Sequence, residues 1–216
     1  MPEIEAKIFI VDDDQAVRDS LQWLIESVGM SVQSFASGLQ FLESGVLDAV
    51  GCAILDIRMP GMSGIEVFEE MKLRESDIPV IFLTGHGDVH LAVRAMKIGA
   101  YDFLEKPFND QSLLDLIQKA IRSGRTQRRE NLHVSEITEK LENLSARERE
   151  VLDGVVGGNS NRIIAGLLDL SEKTVEFHRA KMMDKMAAAT LADLIRMITH
   201  VNRAGKADLS GPAALQ

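Results

Sequence analysis

Five apolar runs, each followed by a segment of helical periodicity, confine the first half of this chain to one class of fold. The runs are Lys7-Ile8-Phe9-Ile10-Val11, Ser31–Phe35, Ala53-Ile54-Leu55, Pro79-Val80-Ile81-Phe82-Leu83 and residues 101–104. A short continuous apolar run bounded by turn signals reads as a strand buried on both faces. Between the first two runs, Val17, Leu21, Leu24 and Val28 recur at helical spacing, and Gly29 is the stop. Further helices are expected over residues 37–44, 65–74 and 89–98, and from Asn109-Asp110 onward. Strands alternating with helices predict an α/β fold, a doubly wound parallel sheet of five β-α repeats.

A parallel sheet places the downstream ends of its strands on one edge, where open α/β folds bind ligands. The first run ends in Asp12-Asp13-Asp14, the third in Asp56-Ile57-Arg58-Met59-Pro60, the fourth in Thr84-Gly85 and the fifth in Glu105-Lys106-Pro107. Each has an ordinary reading by itself. A lone strand-end Asp56 caps a turn, three adjacent acids form a solvated helix cap, Thr84 closes a turn and Lys106 is a surface lysine. The convergence of Asp12, Asp13, Asp56, Thr84 and Lys106 on one edge outweighs those readings. Three carboxylates without a thiolate or clustered histidine suit a hard cation such as magnesium. Beside it Asp56 has the chemistry of a carboxylate nucleophile attacking phosphorus to give an acyl phosphate. Lys106 and Thr84 then offer a positive charge and a hydroxyl to the transferred oxygens.

The second half has a different character. Residues 1–120 hold 9 Lys+Arg against 20 Asp+Glu, and residues 121–216 hold 15 against 13, so an acidic part is joined to a mildly basic one. Ser123-Gly124 weakens the fifth helix, and the charged stretch Arg125 to Glu130 marks a largely helical linker over 124–141. From 142 to 205 a compact all-α unit of four helices is expected, then a flexible tail over 206–216. Ser145 followed by Glu148 is a capping box that starts its first helix. Asn159-Ser160-Asn161 introduces the second, Ser171 caps a third over Glu172–Met186, and a last covers residues 190–201. Two short helices joined by Asp169-Leu170-Ser171 suggest a helix-turn-helix. On the third helix Val175, Met182 and Met186 form the inner stripe. The opposite face carries Lys173, Phe177, Ala180, Lys181 and Asp184, with Thr174 and Glu176 at its shoulders. A solvated amphipathic face is the ordinary reading of that pattern.

No window approaches the ~18 apolar residues of a membrane span, and the start Met1-Pro2-Glu3-Ile4-Glu5 lacks the basic charge of a secretory signal. The single cysteine, Cys52, excludes an internal disulfide and sits in an apolar run. These features fit a reducing cytoplasm.

Val11-Asp12-Asp13, Leu55-Asp56-Ile57-Arg58-Met59-Pro60, Thr84-Gly85-His86-Gly87-Asp88 and Glu105-Lys106-Pro107-Phe108 resemble a response-regulator receiver domain over residues 4–123. The resemblance implies a flavodoxin-like receiver in which Asp56 takes phosphate from a sensor histidine kinase. It also implies that Asp12, Asp13, Asp56 and the Arg58 main-chain carbonyl hold Mg2+, and that Lys106 and Gly85 bind phosphate. Thr84 and Tyr101 are then the switch residues. Residues 144–151, Asn161-Arg162-Ile163-Ile164-Ala165 and Lys173-Thr174-Val175-Glu176-Phe177-His178-Arg179-Ala180 are similar to a LuxR-type DNA-binding domain. By that likeness Asn161, Arg162, Lys173, Thr174, Glu176, Phe177, His178, Arg179 and Lys181 form the DNA-facing set.

Together the two halves resemble FixJ-like transcriptional regulators. Such a protein is not an enzyme beyond phosphorylating itself from small donors and losing that phosphate. It forms a homodimer on phosphorylation and binds promoter DNA, with no membrane association. Two departures stand out: Arg162 replaces the usual lysine, and His90 replaces a proline at the start of the fourth helix. Two alternatives are a receiver with a protein-binding output domain and a phosphatase of the haloacid-dehalogenase type. The second makes Asp12 the nucleophile and gives no role to Asp56 or to the C-terminal half.

Overall fold

Side chains alternate faces along a strand, and β1 (Lys7–Val11) shows the consequence: Ile8 and Ile10 enter one core, Phe9 and Val11 another. The computed structural model describes residues 6–85 and 89–205. The first two residues of the expected receiver, the motif residues His86, Gly87 and Asp88, and the expected tail 206–216 lie outside them. β1 pairs in parallel with β2 (Ser31–Phe35) and β3 (Gly51–Asp56), which continues to β4 (Val80–Thr84) and β5 (Asp102–Glu105). The order is β2-β1-β3-β4-β5. It reverses between β1 and β3, so a crevice opens beyond their ends.

Helix α1 (Gln15–Ser27) and the opening turns of α5 (Asp110–Glu142) supply Leu21, Ile25, Leu113 and Ile117 to the core around Ile8, Ile54 and Ile81. Helices α2 (Gly38–Glu43), α3 (Gly64–Leu73) and α4 (Val89–Lys97) send Phe41, Phe68 and Ala95 into the core around Phe9, Leu55 and Phe82. Phe41 meets Phe9 and Phe35 at ring-centroid distances of 5.9 and 5.3 Å, and Phe68 meets Phe82 edge-on at 5.8 Å. Burying each such ring contributes about 1.5–3 kcal/mol. Cys52 belongs to the Ile8 core, and burial pushes its thiol far above the ordinary range.

Two glycines are fixed by close approach. A Cβ on Gly64 would lie 2.2 Å from the Asp56 carbonyl oxygen, so only glycine lets α3 begin under the end of β3. Gly124, whose sequence context predicts a weakened helix, leaves the helix unbroken. α5 runs through it, and a Cβ there would meet the Pro79 ring at 2.8 Å. The glycine is a packing residue.

The chain divides into two units, Met1–Arg128 and Arg129–Gln216, with the boundary inside α5. In the second, Val134, Ile137 and Leu141 of α5 are buried together with residues of α6 (Ala146–Val156), α7 (Asn161–Leu168), α8 (Glu172–Met186) and α9 (Leu191–Arg203). Residues expected to be linker are therefore core. Their three- and four-residue spacing forms an apolar stripe that packs with Val151, Val155, Leu194 and Ile198.

The capping box of α6 extends into this core's polar framework. Glu148 Oε2 accepts from Ser145 N at 2.8 Å and from Lys185 Nζ of α8 at 2.6 Å, and Ser145 Oγ accepts from Glu148 N at 3.3 Å. The Lys185 hydrogen bond, followed by the Ser145 backbone bond, holds the Glu148 carboxyl down to about 2. A depressed carboxyl stabilises the fold above its ordinary value of 4.5, and that contribution is lost as pH falls toward the depressed value. Glu148→Gln should therefore destabilise the second unit by about 1–2 kcal/mol at pH 7. The gap from the unsubstituted protein should close as pH falls from 4.5 toward 2 in urea unfolding followed by far-UV circular dichroism.

Candidate functional site

The register of β3 and β4 sets Asp56 opposite Leu83, and that of β4 and β5 sets Thr84 opposite Glu105. Asp12 follows β1 directly, and Lys106 follows β5 through a backbone bond from its N to the Thr84 carbonyl at 2.7 Å. The Lys106 ammonium donates to Asp56 Oδ1 at 2.6 Å and to Asp12 Oδ2 at 3.0 Å. The other oxygens are also held. Asp56 Oδ2 accepts from Arg58 N at 2.7 Å, and Asp12 Oδ1 accepts from Asp14 N at 2.9 Å. Burial pushes the Asp56 carboxyl above the usual range and outweighs the opposing bond and charge of Lys106; the Asp12 charge adds to the rise. Burial works against the Lys106 charge as well, but its bonds to Asp56 and Asp12 win and hold its pKa above the ordinary lysine value.

The three adjacent acids divide their work. Asp14 is the N-cap of α1, accepting from Ala16 N at 2.8 Å, so the ordinary cap reading holds for that residue. Asp12 is buried at the edge, and Asp13 is exposed. Arg18, which the sequence did not single out, donates to the Asp12 and Asp13 carbonyls at 2.8 and 2.9 Å and holds this loop over the sheet edge. Thr84 is buried, Gly85 is half-buried, and Tyr101 packs half-buried against the Ile8 core. An open cleft of about 750 Å³ beside the edge is lined by Asp13, Arg58, Met59, Glu66, Glu69 and Arg94.

The second unit presents a helix pair. α7 is capped by Ser160 and ends at Asp169 in the left-handed conformation (φ 53°). Ser171 then caps α8. Val175, Met182 and Met186 are buried, as the periodicity requires. Arg162, Lys173, Glu176, Phe177 and Lys181 are exposed. Phe177 is 59% exposed, with the Lys181 ammonium 5.8 Å from its ring centroid and the His178 ring at 5.5 Å. The remaining expected contacts are half-buried and already engaged. Thr174 Oγ1 lies 2.7 Å from Ser171 Oγ, and Arg179 donates to Asn161 Oδ1 at 2.8 Å.

Residues 8–118 match the family model of the response regulator receiver domain, and residues 142–198 match that of the bacterial regulatory proteins of the luxR family. The chain is 44% identical to the transcriptional regulatory protein FixJ of Bradyrhizobium diazoefficiens over 88% of its own length and 93% of that protein's. It is also 44% identical to the response regulator protein TodT of Pseudomonas putida, over 91% and 87% of the two. The chain belongs to the FixJ-like response regulators. Among solved structures, the response regulator StyR matches 90% of this chain and 98% of its own at 39% identity and a TM-score of 0.78. Full-length FixJ from B. japonicum matches 93% and 99% at 41% identity and a TM-score of 0.58.

This response regulator is a phosphorylation-dependent transcriptional regulator with a receiver and a LuxR-type DNA-binding domain. No helix among the described residues is long and apolar enough to cross a membrane. The receiver brings Asp12, Asp56 and Lys106 into direct contact, with Thr84 one residue beyond the β3 pairing. It does not bring Asp13 into that contact, and among the described residues no three His, Cys, Asp or Glu side chains are gathered to hold a metal ion. The donors nevertheless fit a hard dication, because every expected ligand atom is an oxygen. Lys106 supplies the positive charge between the buried Asp12 and the half-buried Asp56. Lys106→Met should raise the Asp56 pKa further, since it removes a hydrogen bond and a charge that both lower it. A carboxyl-carbon NMR titration of the two proteins checks the direction.

Proposed function

We propose that Asp56 accepts a phosphoryl group from a cognate sensor histidine kinase in the cytoplasm, and that the modified chain pairs and binds promoter DNA. The observation that carries this reading is the Lys106 ammonium 2.6 Å from Asp56 at the end of the central strand. It supports Asp56 over Asp12 as nucleophile, because the Asp56 side chain is 14% exposed and that of Asp12 only 4%. An Asp56 oxygen attacks phosphorus, the bond from phosphorus to the donor imidazole nitrogen breaks with its electron pair going to that nitrogen, and the histidine, protonated on its other ring nitrogen, leaves as a neutral imidazole. Arg58 N fixes the second Asp56 oxygen, so the carboxylate meets the donor in one orientation.

Magnesium at the phosphorylation site is a general property of receiver domains, and when bound it screens the phosphoryl oxygens from the carboxylates. Asp12, Asp13, Asp56 and the Arg58 carbonyl are the residues that would hold it. Lys106 then neutralises a phosphoryl oxygen, and Thr84 donates its hydroxyl to another. Tyr101 follows Thr84, which changes the surface of α4 and β5, where Val93, Met96 and Phe103 are exposed. Pairing through that surface and through the exposed Leu191 and Ile195 of α9 supports a two-fold-related DNA site. Asp56→Asn keeps the shape but removes the nucleophile. It should abolish labelling by a small acyl phosphate with magnesium, and with it any donor-dependent rise in molecular mass. Label on Asp12 instead would transfer the nucleophile's role to that residue.

The exposure of Lys173 and Lys181 on α8 and of Arg162 on α7 supports them as phosphate contacts, and that of Glu176 and Phe177 supports a cytosine acceptor and a thymine-methyl contact. Replacing Lys173 and Lys181 together by alanine should lower the magnitude of the salt slope of DNA binding by about two units, one for each lost phosphate contact. An unchanged slope would show that this face does not meet DNA and would favour a protein-binding output.

A further inference from the structure

Five lysines and arginines lie on α7 and α8, and they fall into two groups. Arg162, Lys173 and Lys181 are exposed. Lys185 donates to Glu148 at 2.6 Å and so belongs to the fold. Arg179 shares that inward character, since it is half-buried and its guanidinium donates to Asn161 Oδ1 at 2.8 Å. Asn161 is the first residue of α7, and Arg179 is on the second turn of α8 or just beyond it. The bond therefore ties the start of one helix to the middle of the other.

α7 needs such a tie. It is 8 residues long, below the length at which a helix holds itself together. Its fully buried residues are Ile164 and Ala165. Gly166 weakens it further, because a side chain there would meet nothing within 4 Å and glycine is a poor helix former. The downstream end is secured by the Leu170 N to Ala165 O bond at 2.9 Å. The middle is secured by Ile164, which packs so closely on Gly154 that a Cβ there would approach to 2.7 Å. The first turn has the Ser160 cap, which is local, and the Arg179 bond, which reaches across to α8.

We infer that Arg179 is a positioning residue in DNA recognition: through Asn161 it sets the first turn of α7 against α8 and does not itself contact a phosphate. The inference rests on α7 and α8 being the DNA-binding pair. In a helix-turn-helix the first helix crosses the DNA backbone while the second enters the major groove. A loosened first turn puts the contacts of α7 out of step with those of α8, and affinity falls without loss of a contact charge. The planar fork of a guanidinium suits a fixed bond to an amide oxygen in a way that a lysine ammonium does not.

The test uses the phosphorylated full chain and a duplex that this same protein selects from random DNA, titrated over a range of salt. Asn161→Ala and Arg179→Gln should each weaken binding by roughly tenfold, or about 1.4 kcal/mol. The double substitution should be no worse than either single one. All three should keep the unsubstituted salt slope, and Arg179→Lys, which retains the charge, should not restore affinity. Asn161→Ala leaves a good helix former at the first position of α7, so it reads the bond even where an Arg179 variant folds poorly. A slope smaller by about 0.9 in Arg179→Gln, rescue by Arg179→Lys, unchanged affinity in Asn161→Ala or additive losses would each overturn the positioning role. If the Lys173 and Lys181 replacement leaves the slope unchanged, the DNA face itself is wrong and the inference falls with it.

Discussion

The receiver edge depends on one ammonium group. Asp12, buried, and Asp56, half-buried, stand at the ends of adjacent central strands, and two carboxylates so placed repel each other unless a positive charge lies between them. Lys106 provides that charge from the far side of the sheet, 94 residues along the chain from Asp12 and 50 from Asp56. Burial of a paired charge is weak evidence for stability in itself. Under the proposed reading its value is chemical: Asp56, the proposed nucleophile, is held in one orientation, and Lys106, the proposed partner of the phosphoryl oxygens, is already in place. The raised Asp56 carboxyl is the cost of that arrangement, since burial outweighs what Lys106 returns.

What holds Lys106 in position is the sheet. Its backbone N bonds to the Thr84 carbonyl, so the residue is an extension of the β4–β5 ladder with little freedom of its own. β4 is fixed in turn by the pairing of Asp56 with Leu83 and by the Ile57 N to Leu83 O bond at 3.2 Å. The corner after β3 closes tightly because Gly64 allows its N to reach the Ile57 carbonyl at 3.0 Å. A site built from four strand ends is thus only as mobile as the strands themselves.

This edge was legible in the sequence because the signal is simple: an apolar run that ends in a reactive residue places that residue at a strand end, and parallel topology gathers the ends. The same logic found β1 to β5 and the inner stripe of Val175, Met182 and Met186. It could not tell which of Asp12, Asp13 and Asp14 would face inward, because that depends on backbone angles at the N-cap of α1. It read Ser123-Gly124 as weakening the fifth helix, because the reason for that glycine is the Pro79 ring, 45 residues away in sequence. It gave Val134, Ile137 and Leu141 to a linker, although their spacing is that of a buried stripe, because the charges from Arg125 to Glu130 dominate the composition there. Arg18 and the Asn161–Arg179 bond left no local trace, since the partners are main-chain carbonyls in one case and 18 residues distant in the other.

The two ends of the β4–β5 pair suggest how a change at Lys106 becomes a change of surface. At the downstream end the pair holds Lys106 through Thr84. At the upstream end Tyr101 N bonds to the Val80 carbonyl at 2.9 Å, and the Tyr101 ring packs half-buried against the Ile8 core. The hydroxyl of Thr84 and the ring of Tyr101 therefore sit on one ladder, one at each end. Thr84 is buried, so a move of its side chain toward Asp56 must leave space or fill it. Close-packed interiors respond to such a change with a neighbour's discrete rearrangement, because they have little room for gradual strain. Along the same ladder Phe103, paired with Phe82, is already exposed, as are Val93 and Met96 of α4, while Tyr101 at the far end is half-buried. Under the proposed switch, a rearrangement at Tyr101 would alter that apolar surface without breaking the sheet that holds Lys106, so the surface could change while Asp12, Asp56 and Lys106 stay assembled.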